Sequence, residues 1–324
     1  MSENTIDYQK VLPSFTVFKG FNKEELNVII PLLEYKEFKE SDVIFEEGQY
    51  GTHIFFLLEG LINIVKTSSM GNFKKIGTIQ PLTIFGEMAL MALIDGSKRS
   101  AGTIATTEVK TFALSRANFD KLTRKNHELA IKFLRRIAST ISNNVRKSDM
   151  TYMDSITKEK LLNMSKKSKF YKKFSDIKDA IPYIPLLAGI DHHKLDNFIL
   201  PMLEIQEFKE GEVIYNEGEP GVNLYVLLEG SVDIFKNTTS GLRKKIFTLY
   251  PFSTFGEMSL IDNTKHSGTI VTASDVKLFN LSKANFEIII KEDPYLAINM
   301  LKCIARIISG ILRRMNDFYV QDEY

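Results

Sequence analysis

The chain repeats itself, and this repeat limits what it can fold into more than any other feature of the sequence. The tetrapeptide LLEG at residues 57–60 recurs at 227–230, and FGE at 85–87 recurs at 255–257, so both pairs lie 170 residues apart. Beyond FGE the offset falls to 167, so the first copy has three extra residues, which we assign to 91–93. Because solenoid units have only about 20–50 residues, a repeat this long is a duplicated domain.

The repeat divides the 324 residues into two domains of ordinary size joined by a basic connection. We predict a first domain at 1–155, a linker helix at 156–180 and a second domain at 181–324. Residues 158–173 carry seven lysines and one glutamate. This stretch is interpreted as a solvated linker face, with anionic lipid or nucleic acid as the alternative binding partner.

Short apolar runs separated by glycines predict β-structure within each copy. In the first copy these runs lie at 43–45, 53–58, 61–66, 75–79, 103–106 and 109–114. A helical segment precedes the runs, at 23–33 and again at 194–203, and an amphipathic helix follows them in each copy. The order predicts an α+β, mainly β fold, in which each copy is a roll or sandwich with flanking helices.

Composition excludes several classes of protein. The formal net charge is +2, so no strong overall field points to nucleic acid. Cys303 is the single cysteine, which favours a reducing compartment and a role as a small buried hydrophobe. We expect a cytoplasmic protein, because we find neither a signal peptide nor a transmembrane segment. No nucleophile motif, P-loop or metal-ligand spacing is present, so we expect no enzyme, no cofactor and no bound metal.

The motif that carries chemistry is FGEMAL at 85–90, followed by KRSA at 98–101. Gly86 allows a ligand to approach the backbone closely. The amides of Met88 and Ala89 are expected at the start of a short helix, where free N–H groups and the helix dipole favour phosphate.

Two charged side chains complete this motif. Arg99 offers a planar, charged fork to a phosphate oxygen. Glu87 would repel a phosphate, and therefore makes sense as an acceptor of hydrogen bonds from a neutral group such as a sugar hydroxyl. A phosphate site beside a hydroxyl acceptor describes a ribose phosphate.

This order of strands, turns and motifs resembles the cyclic-nucleotide-binding domain family. That family includes the bacterial catabolite activator protein and the regulatory subunits of cAMP-dependent protein kinase. The resemblance covers both copies and implies two tandem eight-stranded β-rolls, jelly-roll-like, each with flanking N- and C-terminal helices. It also implies that the helix after each roll, here about 129–146 in the first copy, acts as a lid that moves when the ligand binds.

The resemblance assigns roles to the first motif. Glu87 is expected to take the ribose 2′-hydroxyl of cAMP or cGMP, and Arg99 the cyclic phosphate. The residues expected to complete the first ligand site are Gly86, Met88, Ala89, Ser100 and Ala101.

The second copy departs from the pattern, because His266 stands where arginine is expected. A neutral imidazole has one donor and balances a buried phosphate poorly. This second site is therefore expected to be weaker, empty or tuned to another ligand, and one alternative is binding that requires a protonated His266 below about pH 6.5. Its candidate residues are Gly256, Glu257, Met258, Ser259, His266 and Ser267.

Two functions from different classes follow. The first is a signalling sensor that binds a cyclic nucleotide, mainly in the first domain, and passes a conformational change to an unknown downstream protein. The alternative is a protein–protein adaptor whose rolls bind no ligand. The side chain of Arg99 separates them: facing the motif and Glu87 it favours the sensor, and turned away it favours the adaptor. We expect no DNA-binding domain, and the apolar lid helices suit pairing in a homodimer.

Overall fold

Each copy of the repeat forms eight β-strands. The computed structural model describes residues 7–67, 73–87, 98–155, 180–238 and 241–320, with side chains except at 147–155, 182 and 312–320. The strands of the first copy are β1 (Leu33–Phe38), β2 (Val43–Phe45), β3 (His53–Glu59), β4 (Ile62–Thr67), β5 (Phe73–Ile79), β6 (Ile84–Phe85), β7 (Gly102–Ala105) and β8 (Val109–Ser115). Those of the second copy are β9 (Leu203–Phe208), β10 (Val213–Tyr215), β11 (Asn223–Glu229), β12 (Val232–Asn237), β13 (Arg243–Leu249), β14 (Thr254–Phe255), β15 (Thr269–Thr272) and β16 (Val276–Ser282).

The strands of each copy pair into two antiparallel four-stranded sheets. The orders are β1-β8-β3-β6 and β2-β7-β4-β5 in the first copy, and β9-β16-β11-β14 and β10-β15-β12-β13 in the second. Register shifts recur at matched places, for example between Leu57 and Glu59 and between Leu227 and Glu229. The predicted pair of tandem eight-stranded rolls is confirmed, and matched irregularities show that the backbone is duplicated in detail.

Helices precede and follow the strands. The α-helices are α1 (Tyr8–Val11), α2 (Lys23–Ile29), α3 (Arg116–Lys125), α4 (His127–Ser155), α5 (His192–Lys194), α6 (Glu257–Asp262), α7 (Lys283–Glu292) and α8 (Pro294–Val320). Helix α2 begins with a capping box, in which Asn22 and Glu25 accept each other's backbone N–H.

The predicted helical segments at 23–33 and 194–203 are only partly right. Helix α2 ends at Ile29, Ile30–Leu32 is a 3₁₀ turn, and strand β1 begins at Leu33. Pro31 lies in that turn and has no N–H with which to continue an α-helix. Pro201 has the same place in the second copy, so both segments turn from helix into strand.

Alternation along β3 divides the first copy into two apolar layers. Phe55 and Leu57 point into the roll, where they pack with residues of both sheets. Phe56 points to the other face, where its ring lies 5.2 Å from that of Phe18 and 6.4 Å from that of Phe133 on helix α4. The roll therefore has its own core, and a second aromatic layer holds the flanking helices against it.

The helix after each roll is long and buried on its predicted face. The predicted apolar positions of α4 that the structure buries are Leu129, Phe133, Leu134, Ile137, Ala138, Ile141 and Val145. Within α8, the window Pro294–Ile311 is apolar enough to span a bilayer, with mean hydropathy 1.2, although 56% of it is buried inside the protein. Cys303 lies in that window and is buried with a free thiol, as predicted.

The contacts of the chain divide it into two compact units. Unit 1 comprises Met1–Thr140 with Leu301–Tyr324, and unit 2 comprises Ile141–Met300. Helix α4 therefore begins in unit 1 and ends in unit 2. The domain ranges 1–155, 156–180 and 181–324 stay predictions about the duplicated sequence, and residues 156–179 of the predicted linker lie outside the described residues.

We expect Phe56→Ala to lower the free energy of unfolding of unit 1 by about 3–5 kcal/mol, because its ring is fully buried among aromatic partners. Phe73→Ala is the matched control: Phe73 is 67% exposed, so its loss is expected to change stability by less than about 0.5 kcal/mol. Urea unfolding followed by circular dichroism measures both. Equal effects of the two substitutions would contradict the aromatic layer.

Candidate functional site

Arg99 is buried at the floor of the first motif. Its Nη1 donates to the carbonyl of Gly86 at 2.7 Å, and its Nη2 donates to the carbonyl of His53 at 2.9 Å. The guanidinium carbon lies 3.9 Å from the centre of the Phe45 ring, so the planar cation stacks on an aromatic face. Its Nε is buried and finds no partner among the described residues.

Glu87 is the charged neighbour of this guanidinium. Burial raises the pKa of the Glu87 carboxyl, while the positive charge of Arg99 acts to lower it. Burial also lowers the pKa of Arg99 to about 10, and Glu87 opposes that change. Two desolvated groups of opposite charge therefore lie close enough to act on each other's pKa, and each is costly to keep ionised without a further partner.

Position 86, next to the Arg99 guanidinium, has room for glycine but not for a side chain. Gly86 has φ +71°, and a Cβ there would collide with Nη1 of Arg99. Of the other predicted residues, Ala101 is buried beside the motif and Ser100 is half-buried. Met88, Ala89 and the extra residues 91–93 lie outside the described part of the chain.

His266 occupies the matching floor of the second motif. Its ring stacks on Tyr215 with centroids 3.6 Å apart and planes 8° apart, and Nδ1 lies 3.1 Å from Oγ of Ser259. Tyr215 follows Phe45 by the repeat offset of 170. Each copy thus places a flat polar group on an aromatic ring, but the group is a cation in the first copy and an imidazole in the second.

The remaining candidates of the second site surround this ring. Gly256 has φ +79° and precedes helix α6, whose first residues Glu257, Met258 and Ser259 are all buried. Ser267 lies on the other side, half-buried beside the histidine. The structure therefore brings all six predicted residues together around one small helix.

A cavity of about 910 Å³ opens next to His266 in unit 2. Its wall is strongly basic. The charged and titratable side chains that line it are Arg146, Glu217, Lys236, Lys265, His266 and Lys283. In the described part of the chain, no three His, Cys, Asp or Glu side chains gather as metal ligands.

Sequence reasoning missed two kinds of site residue. Phe45 and Tyr215 had a detectable signal, because both are aromatic and both stand at the same place of the repeat. Arg146 had none: it lies in the helix that follows the first roll, far in sequence from the second motif. Only the folded chain shows that it lines the second cavity.

Comparison with known proteins decides the family. The profile of the cyclic nucleotide-binding domain matches residues 35–126 and again residues 205–293, more than half of the chain. The chain belongs to the cyclic nucleotide-binding domain family. The resemblance predicted from the two motifs is thereby confirmed.

Relatives of the chain include regulatory proteins and kinases of this family. The cAMP-dependent protein kinase regulatory subunit of Dictyostelium discoideum is 25% identical over 281 residues, which cover 86% of this chain and 72% of that protein. Human cGMP-dependent protein kinase 2 is 22% identical over 270 residues, 83% of this chain but only 29% of the kinase.

The regulatory domain of Toxoplasma gondii PKA, co-crystallised with cAMP, is 18% identical with a TM-score of 0.33, and the match covers 87% of this chain and 90% of that one.

The buried imidazole makes the stability of unit 2 depend on pH. Burial lowers the pKa of His266, Arg146 lowers it further, and Glu219 opposes both. The unfolded chain then binds more protons than the folded one, so the free energy of unfolding falls as pH falls through the unfolded value of about 6.5.

We expect His266→Phe, which keeps a ring on Tyr215 but cannot titrate, to flatten this acid-side loss. Urea unfolding between about pH 5 and pH 8 measures it. If the free energy of unfolding falls with pH at the same slope in wild type and variant, His266 is not the group that causes the acid-side loss.

Proposed function

We propose that the chain is a regulatory receptor for a cyclic nucleotide, cAMP or cGMP, which the first roll binds through Arg99 and Glu87. Arg99 would take the cyclic phosphate and Glu87 the ribose hydroxyl. We further propose that the chain is not itself an enzyme and that it acts in the cytoplasm on a separate protein partner.

One observation carries this proposal: among the described residues, the buried Nε of Arg99 has no hydrogen-bond partner. Two carbonyls and an aromatic ring hold its plane, yet they supply no negative charge. Glu87 is the one charge of opposite sign that acts on its pKa. A phosphate oxygen bound to Nε would satisfy this buried donor and balance the charge.

The same contacts support a second candidate, a ligand-free adaptor. Arg99 already donates to the carbonyls of Gly86 and His53, and these bonds alone give it a structural role in closing the roll. In that case the motif persists because it joins the turn after β6 to strand β3. The two candidates differ in whether Arg99 is needed for binding or only for stability.

Helix α4 is the proposed moving part of the sensor. It follows the first roll directly after α3 and continues without a break to Ser155, so movement at its start would be carried to its end. A ligand must prefer one of two states to drive such a change; a hundredfold preference supplies about 2.7 kcal/mol. Pairing of these helices in a homodimer stays a proposal.

The test is equilibrium binding of cAMP and cGMP to the ligand-stripped full chain, with AMP as the control nucleotide. Arg99→Ala is expected to weaken the first binding event by about 10- to 100-fold, since it removes a charged hydrogen bond to phosphate. Glu87→Gln, which keeps the shape of the side chain, is expected to weaken binding of both cyclic nucleotides as well.

Thermal unfolding of the same variants separates binding from folding. A ligand at a hundred times its dissociation constant adds about 2.7 kcal/mol of stability, an easily measured shift. His266→Ala, the same change at the matched position of the second copy, is expected to leave the first event intact. If folded Arg99→Ala and wild type bind alike, or neither cyclic nucleotide binds, the adaptor replaces the sensor.

A further inference from the structure

The cavity beside His266 has an excess of positive charge. Four cationic side chains line it, whereas Glu217 is the one carboxylate among its lining residues. The cations come from four different parts of unit 2: the second half of helix α4, strand β12, the loop before β15, and the start of helix α7. A wall of this kind raises the local concentration of anions and selects an anionic ligand over a neutral one.

Arg146 is the cation that the fold positions most firmly. Its guanidinium forms a two-pronged ion pair with Asp262, in which Nη1 bonds Oδ2 and Nη2 lies 3.4 Å from Oδ1. The Asp262 side chain is 2% exposed and that of Arg146 is 21% exposed. Thr264 donates to Asp262 from its backbone N–H at 3.1 Å and from its hydroxyl at 2.6 Å, so the carboxylate is itself fixed.

The ion pair with Asp262 orients the guanidinium of Arg146 but does not use all of its N–H donors. A guanidinium has more N–H donors than the two that Asp262 accepts, so others remain for a ligand oxygen. By contrast, Lys283 is tied to Oδ1 of Asn263, and Lys265 is exposed on a loop. Arg146 is therefore the planar, pre-oriented cation at this cavity.

His266 does not supply a cation to this cavity. Burial and the nearby charge of Arg146 both lower its pKa, so the imidazole is neutral at physiological pH. Its Nδ1 is already engaged with Ser259, and its face is covered by Tyr215. The position that carries Arg99 in the first copy thus supplies no charge in the second.

We propose that Arg146, reaching the second motif from helix α4, takes over the phosphate contact that His266 cannot make, so that the second cavity binds a nucleotide phosphate. The inference rests on the proposed function, because it assigns the same ligand class to the second copy. It adds a ligand residue that lies outside the motif. Helix α4, which follows the first roll, thereby contributes a ligand residue to the second cavity.

The experiment uses the ligand-stripped full chain with Arg99→Ala, which removes the first-site cation and leaves the second cavity intact. Isothermal titration with cAMP, cGMP, AMP and, as the ligand without phosphate, adenosine is expected to reveal one binding event per chain for at least one of the three nucleotides. Adding Arg146→Ala is expected to weaken that event by about 10- to 100-fold. Arg124→Ala, an exposed arginine on helix α3, is the control for loss of one positive charge and is expected to change nothing.

Two further variants distinguish loss of the phosphate contact from loss of folding. Arg146→Ala leaves the buried Asp262 unpaired, so the double variant Arg146→Ala, Asp262→Asn removes both charges and is expected to fold while binding as weakly. His266→Arg, added to Arg146→Ala, restores the cation of the motif above Tyr215 and is expected to recover binding.

Failure of this inference is distinct from failure of the proposed function. Absence of a second event, or an event that Arg146→Ala leaves unchanged, overturns the role of Arg146 while first-site binding stays intact. An event of equal affinity for adenosine and for AMP overturns phosphate recognition in favour of a neutral nucleoside. The proposed function itself fails if Arg99→Ala leaves binding to the otherwise intact chain unchanged, or if neither cyclic nucleotide binds.

Discussion

A flat polar group stacked on a buried aromatic ring organises each site of this protein. In the first roll the group is the guanidinium of Arg99 on Phe45, and in the second it is the imidazole of His266 on Tyr215. The ring fixes the plane of the polar group. In the first copy Gly86 leaves room for the guanidinium, and in the second copy Gly221 leaves room for Ser259 and His266. The rest of the roll, with its matched strands and register shifts, holds these partners in place.

The two copies differ in the charge of the group that is stacked on the aromatic ring. A guanidinium stays ionised even when burial lowers its pKa to about 10, whereas burial leaves an imidazole neutral. The first copy therefore holds a permanent cation in its motif, whereas in the second copy a cation that lines the cavity is Arg146, from outside the motif. The duplicated scaffold is the same in both copies, and the proposed phosphate contact differs between them.

The sequence predicted the scaffold well because glycines and apolar alternation report local structure. Six strands of the first copy were predicted within a few residues, but β1 was missed, since its sequence LEYKEF is mostly polar and the helical prediction was carried past Pro31. Strand β6 has only two residues, too few for an alternating apolar pattern to show in the sequence. Arg146 was beyond prediction, because the ion pair with Asp262 joins residues 116 positions apart, and no local pattern encodes such a contact.

Phosphate recognition by Arg99 can be tested with a crystal structure of the ligand-stripped protein soaked with cAMP or cGMP. We expect a phosphate oxygen within about 3 Å of Nε of Arg99, with the ribose hydroxyl against the Glu87 carboxylate. The stack of Arg99 on Phe45 should persist, because the ligand completes that arrangement and does not replace it. A soaked crystal at saturating nucleotide with no density at Arg99, or with the ligand bound away from it, would contradict the claim that this buried cation exists to read a phosphate.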